Sequence, residues 1–319
     1  MRESLTEDRE LQKQIAEQAQ LDNPAAASPA VRAFQFFLVP LLIVGACVLV
    51  YSLLNWVVAS PRSAREWLVD VKEGGRNTRT HAALQLVQTI RRMDPPDLSL
   101  TPEILSIFKS TPEEADAEDF NIHRLLATCL GYQRDPKACD LLVETVSTFK
   151  NMETRTAAID ALGTIKDPRT LPDLVKLLDD KDAIVRKYAA FNVGAVAEKA
   201  GPDGRLQAVG ALRGRLTDSA SDVTWNAAFA LAYFLNDASG TDILKKLLDR
   251  KYLGERIGAD QNAEVLTIHA MKIGCNAAAK LNDPSFLPLL KGLTDIKAER
   301  DSDVRFAAHQ AINRIQEKK

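Results

Sequence analysis

Metal and redox chemistry have little to work with in this chain. Its 319 residues include four cysteines, Cys47, Cys129, Cys139 and Cys275, none in a C-x-x-C pair and none at metal-ligand spacing. Buried structural thiols are expected, with a Cys129–Cys139 disulfide left open for a domain that faces an oxidising compartment. The four histidines, His81, His123, His269 and His309, lie far apart, and no H-E-x-x-H or His-Glu dipeptide occurs. Walker A, G-x-S-x-G and G-x-G-x-x-G motifs are also missing. A catalytic site needs a constellation of such groups, so the expectation is no enzyme activity, no catalytic residue, no metal and no cofactor. Aromatics make up only 6% of the chain, while Ala and Leu abound, which suits packed helices better than sheets. An excess of one charge is absent too. The 41 basic residues face 43 acidic ones, which argues against a nucleic-acid partner.

One absence is local. No charged residue occurs between Arg32 and Arg62, and the run FQFFLVPLLIVGACVLVYSLLNWVV from Phe34 to Val58 is almost wholly apolar. About 20 such residues cross a bilayer core as a helix. Pro40 near one end is tolerable there, and Tyr51 and Trp56 near the other suit an interfacial belt. A cleaved signal peptide, with Val57-Val58-Ala59 as its cleavage triplet, fits less well, because its apolar region is shorter and its leading segment is not 30 residues long. The expected organisation is a polar tail at 1–32, ending in the linker Asn23-Pro-Ala-Ala-Ala-Ser-Pro29, then a transmembrane helix at 33–60 and a domain at 61–319. Lys13 and Arg32 precede the span, whereas Arg62, Arg65, Lys72, Arg76 and Arg79 follow it. That asymmetry predicts a single-pass protein of the cell (inner) membrane with the large domain on the cytoplasmic rather than the periplasmic side.

From about residue 62 one pattern recurs every 30 to 40 residues. It reads Thr154-Arg155-Thr-Ala-Ala158-Ile-Asp-Ala-Leu162-Gly163, then Val185-Arg186-Lys-Tyr-Ala189-Ala190-Phe-Asn-Val193-Gly194. Versions stand around Arg79 and Arg305, one around Thr224 without the arginine, and one with His123 in its place. Asp135-Pro136, Asp167-Pro168 and Asp283-Pro284 open the companion helices, with Asp as cap and Pro preset for the first turn. Self-similarity at this period is the mark of a solenoid. The segment 152–199 resembles consecutive HEAT repeats of the type also found in phycobilisome lyases, and a looser version of the pattern covers about 62–317. Seven units start near residues 62, 101, 136, 168, 203, 239 and 284, and Lys251 to Asp260 form an insertion in the sixth. The resemblance implies an all-α fold, an α-solenoid of about seven HEAT-type helix pairs preceded by one transmembrane helix. It is nearly silent on activity, since such arrays serve as adaptors, scaffolds, transport receptors and occasionally enzymes. The HEAT-built iron hydroxylases use repeated His-Glu pairs, which this chain lacks.

In similar repeats an Asp four residues before the arginine, here Asp182 or Asp301, forms a structural ladder with it. Phosphate or acidic-partner binding by these arginines is the alternative. Counted from the arginine as zero, positions +3, +4, +7 and +10 carry small and aliphatic residues and form the buried face. Positions +1, +5 and +9 lie nearly opposite, yet hold Trp225, Phe229 and Tyr233 in the fifth unit and Phe191 in the fourth. These rings form a candidate protein-binding patch, unless adjacent second helices cover them laterally. The expected role is a membrane-anchored scaffold for a protein partner such as a membrane complex subunit. The alternative is an accessory factor or lyase-like chaperone that binds a cofactor-carrying protein.

Overall fold

The computed structural model describes residues 10–18, 34–58, 62–113, 122–259 and 261–317. The linker at 23–29, the ends of the expected span at 33 and 59–60, and Asp260 lie outside the described residues. The chain divides into two units, Met1–Arg62 and Ser63–Lys319.

In the first unit residues 10–18 are helical, and their apolar pair Leu11 and Ile15 is 57% and 59% exposed. A π-helical turn at Phe34–Leu38 leads into α1 (Val39–Val58). The change of winding coincides with Pro40, which cannot donate to the turn before it. Phe36–Leu54 is long and apolar enough to cross a membrane by length and composition, and none of it is buried within the structure. Nineteen residues of helix span roughly 28 Å, close to the thickness of a hydrocarbon core.

The second unit is a stack of helix pairs. Among the described residues these are α2 (Ala64–Glu73) with α3 (Arg76–Arg91), α4 (Thr101–Ser110) with α5 (Ile122–Gln133), and α6 (Cys139–Thr148) with α7 (Met152–Ile165). There follow α8 (Leu171–Lys176) with α9 (Ala183–Ala197), and α10 (Pro202–Gly214) with α11 (Ser221–Leu235). The insertion α13 (Arg250–Ile257) lies between α12 (Thr241–Lys246) and α14 (Ala263–Leu281), and α15 (Leu287–Leu293) with α16 (Ser302–Gln316) completes the series. No strand occurs among the described residues.

The turn inside this series has a fixed grammar. Four second helices end on a residue in the left-handed region, Arg134, Lys166, Asn236 and Asn282, with φ between 53° and 57°. The next residue is Asp each time, and its carboxylate accepts from the backbone N–H two positions on: Asp135 from Lys137, Asp167 from Arg169, Asp237 from Ser239 and Asp283 from Ser285. A single 3₁₀ turn then leads into the following first helix. Asn tolerates the left-handed conformation, so Asn236 and Asn282 are locally well chosen, whereas Arg134 and Lys166 adopt it without that local preference.

Second helices lie side by side, α3 on α5, α5 on α7, α7 on α9, α9 on α11, α11 on α14 and α14 on α16. Small residues at these seams let the backbones approach. A Cβ on Gly131 would stand 2.9 Å from Ala161 Cα, and one on Gly163 would overlap the Asn192 amide. The positions expected to be buried mostly are: Ala158, Ile159, Leu162 and Ile165 in one repeat, and Ala189, Ala190, Val193 and Val196 in the next. In the last repeat His309 and Ile312 occupy the same frame and reach solvent, because no second helix packs on that side of α16 among the described residues. Two hydrophobic clusters fill the unit and meet along α11, which gives Ala227, Ala230, Leu231 and Leu235 to the first and Trp225, Ala228, Phe229 and Ala232 to the second. The insertion is tied to the last repeat. Arg250 pairs with Glu299 at 2.6 Å and Glu264 at 2.9 Å, and Glu299 is only 1% exposed.

Candidate functional site: a groove on the second helices

The repeated arginines are occupied by structure. Arg155 donates from Nε to Val146 O at 2.7 Å and pairs with Asp180 of the next repeat at 3.0 Å. Arg186 holds Asp218 with two bonds of 2.9 Å while its other nitrogen donates to Asp180 O. Arg79 donates to Val71 O, and Arg305 to the carbonyls of Glu299 and Arg300. His123, at the arginine position of the second repeat, does the same work: its Nε2 lies 3.2 Å and 3.1 Å from Phe108 O and Thr111 O, between the edges of Phe108 and Phe149. A ladder exists, but its rungs differ from those expected. Asp182 and Asp301 cap their own helices, accepting from Ile184 N and Val304 N, and the carboxylates that reach the arginines are Asp180 and Asp218. Asp180 and Asp218 also accept from the backbone amides of Asp182 and Ala220, so one carboxylate serves both the turn and the arginine. Asp218 is held below the usual carboxylate range, first by the Arg186 hydrogen bonds.

The cysteines are free thiols. Cys129 and Cys139 are buried without a bond between them, and burial pushes the Cys139 and Cys275 thiols up to about 12. Such thiols are poor nucleophiles. Among the described residues no group of three or more His, Cys, Asp or Glu side chains is placed to hold a metal ion.

The aromatic stripe divides. Trp225 is 9% exposed and Phe229 8%, so lateral cover holds for these two rings. Each internal second helix packs on its own first helix and on the second helices on both sides, so its buried arc is wider than that of a lone amphipathic helix. Phe229 lies stacked between Phe191 at 5.9 Å and Tyr233 at 4.9 Å, with Phe234 edge-on to both Phe191 and Phe229. Tyr233, 38% exposed, and the half-buried Phe191 keep surface toward solvent. The Trp225 indole N–H has no acceptor in the structure.

What those rings border is an open groove of about 1040 Å³ along α5, α7 and α9 and the end of α11. Tyr132, Tyr188, Phe191 and Phe234 give it aromatic walls. Asp160 opens onto it from α7, and Asn192, 2% exposed, donates from Nδ2 to Asp160 Oδ1 at 2.8 Å and to Tyr188 O at 2.9 Å. The absent side chain at Gly163 leaves the space this amide fills. Surrounding protein strips hydration from the Asp160 carboxylate and raises its pKa, the Asn192 hydrogen bond opposing. The +5 positions Thr128, Asp160 and Phe191 all line the groove, so the frame pointed at this face. Asp160, Asn192, Tyr132, Tyr188 and Phe234 lie outside the aromatic stripe expected from the sequence, although Asp160 stands at +5 and Tyr132 at +9.

Residues 113–194 match a family model described as HEAT repeats. No curated protein matches the chain. Among solved structures, the complex of CpcE and CpcF of phycocyanin lyase from Nostoc sp. PCC7120 is similar at 19% identity, covering 80% of this chain and 95% of that one with a TM-score of 0.50. Human deoxyhypusine hydroxylase in complex with glycerol is 18% identical over 82% of this chain and 99% of that one, with a TM-score of 0.36. These comparisons place residues 113–194 among HEAT repeats and give the second unit solenoid neighbours of the phycocyanin lyase kind.

Proposed function

We propose that this protein is a non-catalytic scaffold, anchored in the cell (inner) membrane by a single span over 33–60 with its repeats toward the cytoplasm, and that it holds a polypeptide segment of a protein partner against the second helices. The tail 1–32 and the repeat domain 61–319 flank that span. The observation that carries the binding role is the open groove of about 1040 Å³ with half-buried rings on its walls. Rings with two torsions lose little freedom on contact, and partly desolvated aromatics are frequent anchors at interfaces. Support for the anchor is the apolar helix Phe36–Leu54, whose described side chains face outward along its whole length.

A partner recovered with the wild-type chain from detergent-solubilised membranes tests the reading. Tyr188→Ala, which removes a groove wall, should deplete that partner at least fivefold while leaving the thermal midpoint within a few degrees. Equal recovery with Tyr188→Ala and Phe191→Ala would remove the groove from the function. The phycocyanin lyase likeness supports a second reading, a lyase-type accessory factor for a cofactor-carrying protein, through its fold alone. A visible chromophore co-purifying with the chain would favour that reading over the first.

A further inference from the structure

The two edges of the groove are charged differently. At the edge built from the first turns of the second helices, cations are matched: Arg155 with Asp180, Arg186 with Asp218, and Lys187 with Asp222 at 2.9 Å. At the opposite edge a cation stands at or just past the end of five second helices: Arg134, Lys166 and Lys199 follow α5, α7 and α9, and Lys280 and Arg314 lie in the last turns of α14 and α16. Lys166 pairs with Glu198 at 2.6 Å and sits over the Phe234 ring, and Lys280 sits over the Tyr233 ring, both at 5.5 Å. Arg134, Lys199, Lys280 and Arg314 have no ion-pair partner among the described residues. Of the carboxylates nearest in sequence, Glu317 shares the surface of Lys280 and Arg314, and the others are engaged elsewhere. Asp135 and Asp167 cap the next turns and are 4% and 8% exposed. Asp160 stands six residues before Lys166, roughly 9 Å along the helix, and is held by Asn192. On α11 the row is interrupted by Tyr233, whose ring is 38% exposed.

We infer that this edge and the groove beside it take an extended acidic segment of the partner protein, its carboxylates along the cation row and an apolar side chain against Tyr188, Phe191 and Phe234. The inference rests on the scaffold reading and names the chemistry of its ligand. Packed helices lie about 10 Å apart, and three residues of an extended chain in the polyproline II conformation, which brings every third side chain to the same face, span about 9 Å. An acidic residue at every third position therefore meets a cation on each successive helix, and an apolar residue suits the place where Tyr233 replaces one. Cations at helix C-termini also interact favourably with the helix dipole, a role that would affect stability and leave peptide affinity unchanged.

The test titrates the detergent-solubilised full-length chain into a fluorescein-labelled twelve-residue peptide with Glu at every third position and one Phe, and into its counterpart with Lys for Glu. The acidic peptide should bind at least tenfold tighter, and more weakly as salt rises, because exposed charges are screened. The double variant Lys199→Glu with Lys280→Glu should lose at least tenfold in affinity, while Lys187→Glu on the matched edge retains it. Equal affinity for the two peptides, preference for the basic one, or full affinity in the double variant would overturn the inference. Failure of both peptides to bind would overturn it as well. The scaffold reading would then still stand if Tyr188→Ala depletes the native partner, and fall with it if recovery is unaltered.

Discussion

Trp225 combines a large buried ring with an N–H that has found no acceptor. Removing the ring and removing the nitrogen should therefore have different effects. Trp225→Ala is expected to destabilise by about 3–5 kcal/mol, as for truncation of a large core side chain. Trp225→Phe should stay within about 1.5 kcal/mol, because it also removes a buried unpaired donor. Denaturant melts of the two variants decide it, and equal losses would contradict the burial. Two carboxylates make opposite statements about pH. The folded pKa of Asp160 is raised by desolvation, so its ionised form opposes folding, and that penalty fades as pH falls through the folded pKa. Asp218 is held below the ordinary range by Arg186, so its ionised form supports folding above the ordinary carboxylate pKa, and that support is lost as pH falls toward the folded value. Asp160→Asn should thus raise stability at pH 7 and become neutral near pH 3. Asp218→Asn should lower it at pH 7 by on the order of 3 kcal/mol, since it leaves Arg186 unmatched in a largely buried pair. That deficit should shrink as the wild-type carboxylate itself protonates. Urea melts at the two pH values check both, and effects of the same sign would contradict this electrostatic assignment.

Helix starts and stops depend on residues within one turn, and the sequence carries them openly. The Asp-Pro openings at 135, 167 and 283 and the small residues at +3 and +4 are local signals, and the seven pairs follow from them. Lateral cover is not local. Whether Trp225 is reached by solvent depends on helices some 35 to 50 residues away, so one helix read alone places its ring on the open side when it is buried. The ladder is non-local for a related reason: the partner of Arg186 lies 32 residues on, at Asp218, rather than one turn back at Asp182. Close approach between second helices gives an element-scale prediction. Ala favours a helix over Gly by about 1 kcal/mol, yet Gly131→Ala should destabilise by about 1–3 kcal/mol, because its Cβ would press on the Ala161 backbone, which has no torsion to yield. Stabilisation in a thermal melt would mean that α5 and α7 are free to separate.

At the scale of the whole molecule, the apolar helix and the repeat unit make separate claims. If Phe34–Val58 spans a membrane, the full chain should stay with the pellet in alkaline carbonate and high salt. Release into the supernatant would contradict the anchor. If the positive flank from Arg62 to Arg79 faces the cytoplasm, protease added to intact spheroplasts should leave the repeats uncut, and their loss without lysis would reverse the orientation. The chemistry of the groove was less legible than its position. Its polar floor joins Asp160 on α7 to Asn192 on α9, two residues 32 apart that form one hydrogen-bonded pair only after the helices stack. The central claim is that this groove is where the partner lies, and a photo-reactive amino acid tests it most directly. Placed at Phe191 in the groove, it should give a discrete cross-linked protein adduct on illumination of intact membranes. Placed at Leu206, 73% exposed on the first helix α10, it should give none. An adduct from Leu206 alone, or the same adduct from both positions, would contradict the account.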